Sequence, residues 1–240
     1  MLKIQNLTKK FGNKTAVEKF SIEIKTGEIF CLIGPNGSGK TTVVKTIAGL
    51  LHPTEGKVEV GGFDVAQNPQ DAKAIIGYIP DEPVVWSSVT GEEFLHIVGA
   101  LYNVSEQQRK ERIPKLLNLF GLGGIEKEYF EDYSRGNKQK FSVLAALLHE
   151  PKLLLVDEPI VGLDPTSAEI VKQQFQEFAK KGGSVLMVTH TLSVAETIAD
   201  RIGFLQNGHL KAVGTISELK KQAKVSDTSH LEDIYKSLVK

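Results

Sequence analysis

The stretch 34–42 reads GPNGSGKTT, directly after the apolar run 29–33, IFCLI. Gly34, Gly39, Lys40 and Thr41 satisfy the pattern G-x-x-x-x-G-K-[ST], a phosphate-binding P-loop set between a strand and a helix. A triphosphate has to be wrapped by backbone N–H groups, and glycines at 34, 37 and 39 remove side-chain atoms that would hold the backbone away. A helix over 39–51 is expected to point its N-terminus at the phosphates, where unpaired N–H groups and a partial positive charge favour an anion. Lys40 would reach the β- and γ-phosphates and the Thr41 hydroxyl would ligate Mg2+, with Pro35, Asn36, Ser38 and Thr42 completing the cradle.

Working outward, 240 residues suffice for one α/β domain with a full core. Lys plus Arg total 29 and Asp plus Glu total 29, so the formal net charge is zero. That balance argues against a nucleic-acid partner, whose footprint is a basic excess. The lone Cys31 lies inside the strand before the P-loop, which rules out an internal disulfide and reads as an inert buried thiol. No apolar run reaches the length of a membrane span, and residues 1–4 begin a strand pattern rather than a signal peptide. The expected location is therefore cytoplasmic, with any membrane role supplied by a partner.

Residues 2–25 alternate as an antiparallel ribbon about a turn at Gly12-Asn13, with Phe11 at that turn. As a residue, Phe11 reads first as a core or edge aromatic, since packed faces outnumber exposed stacking ones, and a stacking face for a base is the functional alternative. A short strand over 57–60, a short helix over 68–74 and a buried strand over 75–79 follow. The last ends in Pro80-Asp81-Glu82-Pro83, an extended loop in which Asp81 is either a solvated acid or a metal ligand. From 90 to 150 the pattern is helical. Thr90 with Glu93 and Ser105 with Gln108 form capping boxes, and Pro114 is expected to kink or split the second helix. Ser134 then caps a helix that carries Gly136 at its entrance, a second anion-ready N-terminus that simple capping explains as well. The continuous apolar run 153–156 delivers Asp157 and Glu158 at its end. Adjacent buried acids are costly unless paired; Mg2+ relieves Asp157 and leaves Glu158 as a base for water. His190 sits at the tip of a further buried strand, and Asn207-Gly208 turns a hairpin.

Taken together, Phe11, the P-loop, Pro80-Asp81, Tyr133-Ser134-Arg135-Gly136-Asn137, Asp157-Glu158, Gly162-Leu163-Asp164-Pro165 and His190 stand in the order of the nucleotide-binding subunit of an ATP-binding cassette transporter, which the chain resembles over nearly its whole length. The resemblance implies a P-loop core of mostly parallel sheet flanked by helices, with an N-terminal antiparallel ribbon and an inserted helical subdomain. Its parts would be 1–87 with 151–216 for the core, 88–150 for the helical subdomain and 217–240 for a helical tail. It implies ATP and Mg2+ as ligands, with Thr41, Asp81 and Asp157 on the metal, Phe11 stacked on adenine, and Ser134 and Gly136 on a γ-phosphate. Glu158 would orient and polarise the attacking water, Lys40 would absorb charge, and His190 would contact the γ-phosphate. The implied assembly is a head-to-tail pair of ATPase subunits sharing two ATP molecules, with Asp164 shaping the opposite site and integral membrane permease subunits driven from the cytoplasmic face.

Four departures from the family pattern stand out. Tyr133, Arg135 and Asn137 replace residues of the usual LSGGQ, and Asp81 replaces a glutamine. The pair PDEP with YSRGNKQK is similar to bacterial exporter ATPases of drugs, peptides or ions. The segment 81–90, with Trp86 among Val84, Val85 and Val89, is expected to meet the permease, although Trp86 reads equally as core. The alternative function is a soluble cassette ATPase in translation, repair or metal-cluster assembly. A small-molecule P-loop kinase would leave 133–137 unexplained.

Overall fold

The computed structural model describes residues 1–84 and 86–239. Two sheets form. The antiparallel one runs in the order β2 (Lys14–Ile24), β1 (Leu2–Phe11), β4 (Glu55–Val60), β5 (Phe63–Asp64). The second runs β10 (His209–Gly214), β9 (Arg201–Gln206), β3 (Ile29–Ile33), β8 (Ser184–Thr189), β7 (Leu153–Asp157), β6 (Ile76–Ile79). It is parallel from β9 to β6, and β10 returns antiparallel through the Asn207-Gly208 turn.

The apolar runs of β3, β7 and β8 serve two cores at once, because successive strand residues face opposite sides. Phe30, Leu32, Leu153, Leu155, Leu186 and Val188 join a core shared with the antiparallel sheet and with α1 (Lys40–Ile47). Ile29, Cys31, Ile33, Leu154, Val156, Val185 and Met187 face the other way, into a core built with the helices. Burial on both faces is why these strands carry no polar alternation. It also pushes the Cys31 thiol up to about 12, with Asp200 adding, so the thiol stays protonated and unreactive.

The helical insertion holds α3 (Gly91–Leu101), α4 (Glu106–Leu119) and α5 (Arg135–Leu148). Both expected capping boxes form: the Thr90 and Ser105 side chains accept from the Glu93 and Gln108 amides, whose side chains accept in return. Pro114 does not split α4, which runs continuously past it. The carbonyl four residues earlier, that of Lys110, loses its partner, but Lys110 and Pro114 both lie on the solvent side, where water replaces the lost bond. The P-loop helix is shorter than the expected 39–51: α1 stops at Ile47, and Gly49 turns the chain at φ 66°. The helices α6 (Pro165–Lys180), α7 (Leu192–Ile198), α8 (Ile216–Ala223) and α9 (Leu231–Leu238) complete the chain, and the last buries Leu231 and Ile234. Among the described residues no helix is long and apolar enough to cross a membrane.

Candidate nucleotide site

The strand order β3, β8, β7, β6 sets four chemically loaded strand ends side by side along one edge of the sheet. They carry the P-loop after Ile33, His190 after Thr189, Asp157 with Glu158, and Asp81 after Pro80. Carboxyl ends of parallel strands are where open α/β sheets bind ligands. A cavity of about 720 Å³ opens there, lined by Phe11, Asn36, Gly37, Ser38, Gly39, Lys40, Thr41, Thr42, Asp81, Asp157 and Glu158.

The P-loop is held by its surroundings more than by itself. A Cβ at Gly34 would lie 2.2 Å from the Leu205 carbonyl oxygen, and one at Gly39 would lie 2.6 Å from that of Ala16. Those two glycines therefore answer to close protein backbone rather than to phosphate access alone. Gly37 has open space but a φ of 79°, which is the reason for glycine there. Gly39 also starts α1 without a side-chain cap, leaving the entrance to the helix facing the cavity. Lys40 is buried and its ammonium donates to the Gly34 and Pro35 carbonyls at 2.7 and 3.1 Å. Burial lowers its pKa, while Glu158 and Asp157 pull the other way.

Asp157 is buried at the floor. Burial raises its carboxyl above the ordinary range; Thr41 lowers it by hydrogen bonding, Asp81 and Glu158 raise it further, and Lys40 opposes them. Tyr78 is pushed up to about 12 by burial, with Asp157 and Asp81 adding. The donors gathered at this end are all oxygens: the Thr41 hydroxyl and the Asp157 and Asp81 carboxylates, all on the cavity wall. Hard oxygen donors beside a phosphate loop suit Mg2+, which takes few protein ligands and fills the rest with water and phosphate oxygens. Among the described residues no group of three or more His, Cys, Asp or Glu could hold a metal without such help.

Glu158 is buried and adopts a left-handed backbone, φ 49°. One carboxylate oxygen accepts from the Thr189 hydroxyl at 2.9 Å, and the other from the His190 amide at 2.8 Å. The His190 ring Nδ1 lies 2.7 Å from that second oxygen. Glu158 and His190 are thus partners, because β7 and β8 are neighbours and their ends meet, a pairing that the sequence did not show. Positive φ on a bulky residue costs of order 1–3 kcal/mol and recurs at functional sites.

Ser134, Gly136 and Asp164 do not line this cavity. Ser134 is the N-cap of α5, its hydroxyl accepting from the Asn137 amide at 3.2 Å. Gly136 packs against the turn before α6, where a Cβ would lie 3.3 Å from the Gly162 carbonyl oxygen. Asp164 caps α6 by accepting from the amide and hydroxyl of Ser167, and those bonds lower its pKa.

Four lining residues escaped sequence reasoning: Lys14, Thr15, Ala16 and Asn207. Only the Asn207-Gly208 turn left a signal, as a hairpin. Its position at the site is tertiary: the Gly208 amide donates to the Ser38 carbonyl, and the Glu18 amide donates to the Gly208 carbonyl, both at 2.9 Å. Phe11, 48% exposed, presents its ring at the cavity mouth, with the Lys9 ammonium 5.0 Å from the ring centroid.

A second, apolar groove lies beyond Asp81, lined by Tyr78, Pro80, Val84, Trp86, Phe94, Val98, Tyr102 and His149 among others. Trp86 is half-buried and meets Phe94 edge-on at 5.7 Å, so it serves the helical core and the groove wall together. Val85, expected beside it, lies outside the described residues.

Comparison with known proteins gives this geometry a family. The family model described as ABC transporter matches residues 17–161. The ABC-type transporter ATP-binding protein EcsA of Bacillus subtilis (strain 168) is 35% identical over 240 residues, covering 100% of this chain and 97% of that protein. A solved ATP binding subunit of an ABC transporter superimposes with a TM-score of 0.95 at 33% identity, covering 100% of both chains. A dimeric ATP-binding cassette in a post-hydrolysis state, bound to ADP and Pi, superimposes with a TM-score of 0.80 at 27% identity, covering 90% of this chain and 99% of that one. The chain belongs to the ABC transporter family, as an ATP-binding subunit that hydrolyses ATP.

Proposed function

We propose that this subunit drives an exporter from the cytoplasmic face of the membrane, as one of two cassettes that share two ATP molecules. The observation that carries this reading is the division of the expected phosphate contacts. Lys40, Thr41, Asp157 and Glu158 share one cavity, whereas Ser134 and Gly136 stand at the entrance to α5, outside it. An α5 entrance that is capped and lies outside the cavity of its own P-loop suits the γ-phosphate held by a second copy or a close relative. ATP would then tie two subunits together, and its hydrolysis would release them.

The residues divide the work as follows. Phe11 offers a face for the base, and the P-loop amides with Lys40 hold the phosphates once the ammonium turns from the Gly34 and Pro35 carbonyls. Thr41, Asp157 and Asp81 would hold Mg2+, which supplies charge neutralisation on the phosphate oxygens. Glu158 orients the attacking water and takes its proton, and His190, already bonded to that carboxylate, keeps it aimed and can reach the γ-phosphate. Asp164, in its cap, sets the turn that faces the opposite subunit. The chain acts as a single cassette over 1–240, with the helical subdomain carrying the α5 entrance.

The permease is assigned to the apolar groove at Trp86. A half-buried aromatic wall with the exposed Val84 at its rim suits a short cytoplasmic helix of a membrane protein. Export follows from the likeness of PDEP and YSRGNKQK to exporter ATPases. The test is co-expression with a multi-span membrane protein encoded in an adjacent reading frame. Co-purification in detergent that is lost or much weakened by Trp86→Ala is the expected result; co-purification unchanged by that substitution contradicts the groove.

A further inference from the structure

Two of the departures from the family motifs meet in space. Asp81 stands where the family has glutamine and Arg135 where it has glycine, and Arg135 Nη2 lies 3.6 Å from Asp81 Oδ1. The remainder of the Arg135 side chain lies along the turn at Gly162, where a Cβ would be 3.5 Å from Arg135 Cδ. Arg135 opens α5, the residue directly after the Ser134 cap. Asp81 lines the nucleotide cavity and acts electrostatically on Asp157 at its floor. A single carboxylate thus pairs with a cation on α5 and borders the cavity whose oxygen donors suit Mg2+.

We propose that Arg135 and the metal of the same subunit compete for Asp81, so that filling the metal site frees the entrance of α5. This rests on the reading of Asp81 as a metal-side residue. Both partners are half exposed, 57% for Arg135 and 49% for Asp81, so the pair is weak and exchanges easily. A divalent cation beside a phosphate loop is the stronger partner for a carboxylate. When Asp81 turns toward it, Arg135 loses its tie to the strand-end loop while keeping its place along Gly162. The α5 entrance, which serves the opposite subunit, then responds to the state of its own subunit's site. Glutamine and glycine at these positions could not do this, since neither carries charge.

The test uses the full chain carrying Glu158→Gln, so that ATP is retained, and titrates Mg2+ into the ATP-loaded protein by calorimetry. Arg135→Ala removes the competitor and should tighten apparent Mg2+ binding about two- to five-fold, the range of an exposed ion pair. Asp81→Asn should weaken Mg2+ binding, and in that background Arg135→Ala should change nothing further. On protein kept dilute enough, by sizing, to stay monomeric, hydrogen exchange at the 135–138 amides should rise on adding Mg2+ to ATP-loaded protein with Arg135, and should be high with or without Mg2+ in Arg135→Ala. Equal Mg2+ affinity with and without Arg135, or the same shift in the Asp81→Asn background, overturns the competition. Mg2+ binding that ignores Asp81→Asn instead overturns the assignment of Asp81 to the metal, a separate and distinguishable failure.

Discussion

Replacing Glu158 with glutamine separates binding from chemistry in this site. The side chain keeps its shape, and its environment tolerates an amide. The carbonyl oxygen can take the place of Oε1, accepting from the His190 amide now 2.8 Å away, while the NH2 group meets the Thr189 hydroxyl, which can accept as well as donate. The structural cost is the difference between a charged and a neutral acceptor, about 1 kcal/mol, or roughly 2–4 °C in melting temperature for a chain of this size. The chemical cost is far larger. A positioned general base contributes roughly 10²–10⁴-fold, equivalent to about 2.7–5.5 kcal/mol on the barrier. Glu158→Gln should therefore bind ATP nearly as the parent does, release phosphate at least about 100-fold more slowly, and accumulate an ATP-dependent dimer. Phosphate release, a direct ATP titration and sizing with and without ATP measure the three. A folded variant that turns over within about tenfold of the parent refutes Glu158 as the base.

Two further substitutions probe the ends of the cavity. Burial raises the Asp157 carboxyl, and a carboxyl raised on folding contributes stability below its unfolded pKa and loses that contribution as pH rises through the folded one. Ionised Asp157 thus opposes folding of the nucleotide-free protein at neutral pH, so Asp157→Asn should raise its melting temperature while shrinking the further rise produced by ATP with Mg2+; a lower nucleotide-free melting temperature contradicts the argument. Phe11→Ala should cost about 1–3 kcal/mol of base stacking, some 5- to 150-fold in ATP affinity, with little change in melting because the ring is 48% exposed; unaltered ATP affinity in a binding titration removes Phe11 from the base site.

Much of this was legible from local chemistry. The helix starts at Thr90, Ser105 and Ser134 are written in residues three apart, and the capping bonds form between those residues. The P-loop and the acids at the end of β7 are equally local: each is a buried run that leads at once into its chemistry, and the ribbon over 2–25 and the hairpin at Asn207-Gly208 follow from alternation and turn residues. Pro114 misled because the cost of a helix proline depends on whether the freed carbonyl faces water, and a sequence does not state which side is wet.

What only the tertiary structure decided are the partnerships between distant segments. Strand order placed β8 beside β7, and so set His190 against the Glu158 carboxylate. The same order set Leu205 against Gly34 and the Asn207-Gly208 turn against Ser38, making the hairpin a buttress of the phosphate loop. Packing of α5 against β6 brought Arg135 to Asp81. Propensity, capping and periodicity act over a few residues and can be read along the chain. Pairing across a sheet edge depends on which strands lie adjacent, and that is settled by burying two cores at once, a condition on the whole molecule that no single segment records.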